Sequence, residues 1–172
     1  MSGSAKALSL AGELREAAAA LIAVVERLEP EHWCRVPAPG VWSVGKEAEH
    51  AAEGLALHLW SVRVTIGQSV MSNRPAVERK QLTTALSPGD AADLLRRRTQ
   101  EVVRLVERLS DEQLGLPTRP PRAGAPKLAE TIERVLIGHL QHHRAAVEAK
   151  LAYVIPRSGA TRNLDGVEVH RR

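Results

Sequence analysis

A chain of 172 residues is long enough to bury one core, and its abundance of Ala, Leu, Val, Glu and Arg, with no Phe, favours helices and predicts an all-α fold. The formal charge of +4 raises nucleic acid as a partner, but the only tight basic run, Arg96-Arg97-Arg98, lies between Asp93 and Glu101 and reads as a solvated helix face, so no nucleic acid is expected. Cys34 stands alone and excludes an internal disulfide. The apolar run Ala17 to Val25 is closed by Glu16 and Glu26 far short of a membrane span, and Met1 to Ala7 has no long apolar stretch behind a basic start. No membrane partner and a cytoplasmic location are therefore expected.

The first predicted helix runs from about Ser9 to Leu28, and Pro30 ends it. Residues 29–40 carry three prolines and read as a loop with a short turn near His32. Ser43 is a natural N-cap for a second helix reaching about Gly67. Met71 to Leu86 lacks a clear period and reads as a long, mobile crossover. Ser87-Pro88 places a cap before a first-turn proline and opens the third helix, with Leu94, Leu95, Val102, Leu105, Val106 and Leu109 as its apolar stripe. Ser110 to Leu114 reads as an extra turn, and Gly115 to Pro126 as a loop. A fourth helix is predicted from about Lys127 to Tyr153. The expectation is a single four-helix bundle over 1–156 with a flexible polar tail, Arg157 to Arg172. A homodimer through exposed helix faces is compatible with this layout.

The last predicted helix carries the clearest chemistry. At about 100° per residue, Leu128, Ile132, Val135, Leu136, Ala146 and Val147 share one face, and His139 and His143 fall within it. Four residues apart, both imidazoles project from adjacent turns. An apolar setting leaves each ring a donor and an acceptor to satisfy. A divalent ion taking one nitrogen of each ring answers that need, and zinc or nickel suits imidazole. His142 lies at the edge of the stripe, as an outer neighbour of the site or a surface residue. On the second helix, His58 lies on the main apolar stripe with Val44, Ala48, Ala51, Leu55 and Val62. His50 lies on a flank with Glu47, Gly54 and Leu57. Periodicity alone leans to His58 as a third ligand. Glu47 and Glu53, one turn either side of His50, are candidates to orient it or act as a base; a solvent-facing glutamate is the plainer reading for Glu53, while for Glu47 the two readings stand level. Cys34 reads as a small buried apolar residue. Trp33, Trp42 and Trp60 read as core or pocket wall.

Trp42-Ser43-Val44, then His50, then His139-Leu140-Gln141-His142-His143-Arg144 resemble the DinB/YfiT-like superfamily over roughly Leu8 to Ala152. The resemblance implies a four-helix bundle with His50, His139 and His143 as metal ligands, which reverses the lean to His58. Ala145-Ala146 departs from the Gly-Gln common at that place. The resemblance also implies a thiol S-transferase of detoxification or stress type. In such a reaction a metal-bound thiolate, from a small thiol such as bacillithiol or mycothiol, attacks an electrophilic substrate. The excess of arginine over lysine, a bias of high-GC genomes, favours mycothiol. Two further readings stay open: a metal-dependent hydrolase using bound hydroxide, and a non-catalytic helical protein that binds a ligand or partner.

Overall fold

Ser4 opens the first helix, its hydroxyl accepting the amide of Ala7 at 3.1 Å while its own N–H donates to the Leu109 carbonyl at 3.0 Å. That cap starts α1 (Ala5–Val25) a turn earlier than Ser9, the residue expected from the pattern. The computed structural model describes residues 3–68, 74–77, 79–118 and 124–154. The tail expected to be flexible, and residues 71–73 and 78 of the expected crossover, lie outside the described residues. Leu10, Leu14, Leu21 and Val25 are wholly buried along α1, at the spacing of one helical face.

Pro30 begins a one-turn helix, α2 (Pro30–Trp33). Trp33 is buried and its indole N–H donates to the Leu86 carbonyl at 2.6 Å. A Cβ on Gly45 would stand 2.6 Å from that ring, so glycine is what lets α3 lie against it. Cys34 caps α2 and is exposed, which corrects the expectation of a buried apolar thiol: α2 turns Trp33, not its neighbour, into the core.

Helix α3 (Val44–Thr65) starts where Ser43 was expected to cap it, the hydroxyl accepting the Lys46 amide at 3.1 Å. The Ser43 N–H donates to the Leu82 carbonyl at 2.8 Å and ties the end of the crossover to the helix start. Helix α4 (Pro88–Val106) opens on a reciprocal capping box between Ser87 and Asp90. Helix α5 (Asp111–Leu114) repeats the device with Ser110 and Gln113.

The last rod is continuous but not uniform. A turn, α6 (Leu128–Thr131), passes into a π-helical segment (Ile132–Ile137) and then into α7 (Gly138–Val154). The wider π turn changes the phase of the rod. Val135, expected to face the core, is 40% exposed, whereas Ile137 is buried. Ala146 is half-buried.

Helices α1 and α3 each pack on both α4 and α7, so the four long rods run α1–α4–α3–α7 around a shared core. The fold is all-helical. Among the described residues there is no strand, only an isolated antiparallel bridge between Pro117 and Lys127. No helix among them is long and apolar enough to cross a membrane.

Candidate metal centre

Helix α3 is buried along two faces, where periodicity registers one apolar stripe. Val44, Ala48, Ala51, Leu55, Leu59 and Val62 form the apolar stripe, while Lys46, Glu47, His50 and Gly54 are also buried. This second face looks onto α7, through contacts of Glu47, His50 and Gly54 with its histidines. The flank that carries His50 is thus a helix–helix seam.

Across that seam the imidazoles gather. Ring centroids of His139 and His143 lie 4.3 Å apart, those of His50 and His143 5.0 Å, and those of His50 and His139 5.9 Å. Three imidazoles sharing one ion, with nitrogens about 2.1 Å from it, have centroids about 5 Å apart. His58 meets only His139 among the histidines, at 5.2 Å, and exposed His142 meets only His143, also at 5.2 Å. The structure therefore brings together His50, His139 and His143 and leaves His58 and His142 at the margin.

Each ring is held differently. His143 is buried and its Nδ1–H donates to Glu47 Oε1 at 2.6 Å; the other carboxylate oxygen accepts from the Lys150 ammonium. Burial alone would push the Glu47 carboxyl up, but these two hydrogen bonds and the neighbouring cations bring its pKa down to about 2. A carboxylate can only accept, so the contact places a proton on Nδ1 and makes Nε2 the nitrogen that would meet an ion. His139 is half-buried, with Nε2 3.3 Å from the Ala51 carbonyl. A Cβ on Gly54 would stand 2.1 Å from that nitrogen, so only glycine at 54 leaves room for the ring. Burial, with the nearby His143 charge, lowers the His139 pKa to about 3. The same two causes, with Arg79 adding to them, lower His50 to about 4. Burial also lowers His58. His50 and His139 are neutral at pH 7, the state a metal requires.

His50 supplies the sharpest sign of something unmet. Its Nδ1 is buried and has no hydrogen-bond partner among the described residues, with Glu53 Oε2 at 3.9 Å, beyond hydrogen-bond reach. Trp42 leans on the same ring at 4.7 Å between centroids and donates its indole N–H to the Arg79 carbonyl at 3.3 Å. An orphaned buried imidazole nitrogen calls for an ion or a water. The donor set, spacing and protonation suit a divalent ion, but ring orientation does not yet. Among the described residues no three His, Cys, Asp or Glu side chains already converge as a cation site, the three rings meeting at 60–78°. His139 in particular must present Nδ1, or leave Ala51, to join a shared ion.

Lys150, Gly54, Arg79 and Arg134 were not singled out from the sequence. Gly54 left one usable trace there, a helix-breaking residue in the middle of a strong helix. Lys150, 103 residues from Glu47 in the chain, left none.

A family model, DinB superfamily, matches residues 13–147, and the chain belongs to that superfamily. Comparison with curated proteins and with solved structures gives no match.

Proposed function

We propose that this DinB-superfamily protein is a metal-dependent enzyme, and that its reaction is S-transfer from a low-molecular-weight thiol to a small electrophile, of detoxification or stress type. The single observation that carries the metal-dependent reading is the gathering of His50, His139 and His143 across the α3–α7 seam. A divalent ion held there, zinc or nickel on the preference of imidazole donors, would supply the positive charge that keeps a thiol ionised at neutral pH. The chain's own residues prepare that place. Burial keeps His50 and His139 unprotonated, Glu47 fixes which nitrogen of His143 carries its proton, and Gly54 yields the space His139 occupies. Three imidazole ligands leave coordination positions for a reactant, the mark of a catalytic rather than a closed site.

The test combines purified protein and zinc with bacillithiol or mycothiol and a chlorinated or epoxide acceptor, followed by mass spectrometry. A metal-dependent thioether adduct is expected. No adduct above background with any thiol overturns S-transfer, and turnover without thiol that is lost on chelation selects hydrolysis instead. Elemental analysis of wild type against His139→Ala tests the metal itself. No metal in the wild type, or an undiminished complement in the variant, overturns the metal-centred reading and leaves a non-catalytic binding protein.

A further inference from the structure

Beside the imidazoles lies a cavity of about 390 Å³, within the size range of small-molecule sites. Two observations set its chemistry. The charged side chains that line it are Arg79 and Arg134, and no Asp or Glu lines it among the described residues. Both arginines are exposed, and neither makes an ion pair among the described residues. With no acid in its lining among the described residues, these two guanidinium groups give the cavity a positive field and a set of donors suited to an anion.

The backbone holds both arginines in place. Arg79 belongs to the crossover, and its carbonyl is pinned by the Trp42 indole, whose ring rests on His50. Arg134 lies in the π-helical segment just before His139. Consecutive Arg134 and Val135 both line the cavity, and the widened π turn exposes Val135, which the α-helical phase would bury. Such π turns recur at functional sites.

We infer that this cavity takes a small anionic molecule, its carboxylate or phosphate held by Arg79 and Arg134 and its apolar body against Leu57, Val77 and Val135. This rests on the proposed function only in treating the bound anion as a reactant of the histidine centre. The binding itself is tested without metal, so that its failure and the failure of the metal site are separate results.

The experiment titrates the full-length chain, freed of metal by chelation, with succinate, inorganic phosphate and uncharged succinamide, and follows backbone amide chemical shifts. Succinate or phosphate should shift the amides of Arg134, Val135 and Gly138, and succinamide should not. Which anion binds more tightly distinguishes a carboxylate from a phosphate ligand. Arg79→Gln and Arg134→Gln should each weaken binding about tenfold, the scale of one lost charge-assisted hydrogen bond. Arg97→Gln, on the exposed face of α4, should leave it unchanged. An equal response to succinamide, no response to either anion, or unchanged affinity in both cavity variants overturns the inference.

Discussion

The α1–α4 pair and the α3–α7 pair are built from the same kind of helix and spend their buried surface differently. Between α1 and α4 the interior is Leu10, Leu14, Leu21, Leu95, Val102 and Val106, all essentially inaccessible, and charge appears only outside, as the Arg15–Glu107 and Arg96–Glu26 bridges. Exposed pairs of that kind contribute little. Between α3 and α7 the buried set includes Glu47, His50 and His143, none of which adds the transfer energy of a leucine. The α1–α4 side is filled with apolar residues and the α3–α7 side carries the candidate site, and substitutions should separate the two.

The largest stability effect is expected from Leu95→Ala, which leaves a cavity where a fully buried side chain stood and should cost about 2–5 kcal/mol in denaturant unfolding. Metal affinity of the folded fraction should not change. Gly54→Ala should do the reverse. Alanine favours a helix interior by about 1 kcal/mol over glycine, offsetting part of the crowding. Its Cβ would meet His139 at 2.1 Å, so cation affinity by calorimetry should fall by more than the about 10–100-fold typical of an outer partner. Retained affinity in that variant would dissolve the proposed separation. Glu47→Gln keeps the shape but removes the charge that accepts from His143 and Lys150. It should lower metal affinity about 10–100-fold.

The smallest effect sharpens the comparison from the scaffold side. The hydrogen bonds from Ser87 hold the Asp90 carboxyl below its ordinary value of 3.8. A carboxyl whose pKa is lower in the folded state stabilises that state above its unfolded pKa, and the contribution disappears as pH falls through the folded value. Asp90→Asn should therefore be slightly less stable than wild type at neutral pH, and the difference should close below pH 3.8. Urea midpoints of both proteins across that range measure it.

Where local chemistry decides a structure, the sequence could be read. Ser43 and Ser87-Pro88 mark their helix starts because a hydroxyl must meet the first free amides, and that requirement is written in two or three adjacent residues. The four-residue spacing of His139 and His143 likewise places both on one side of α7 by geometry alone. What could not be read depends on neighbours distant in the chain. The α-helical period chose His58 over His50 because it measures one apolar stripe, while α3 is covered by two partners. The same period placed Val135 inward, since nothing in Ile132–Ile137 announces a wider turn. Resemblance to a family pointed to His50 and gave no sign of the wider turn.

The π turn also loosens the bond between ancestry and position within the last rod. It lets the stretch before Gly138 and the stretch after it keep separate registers. Loss of one residue there would close the wide turn to an α-helical one, leaving Leu128 and its neighbours on their buried face and the His139–His143 interval intact. Changes of length at this joint would therefore move Arg134 and Val135 in the cavity lining without altering the spacing of the two histidines that follow, so the lining can be varied apart from the imidazoles.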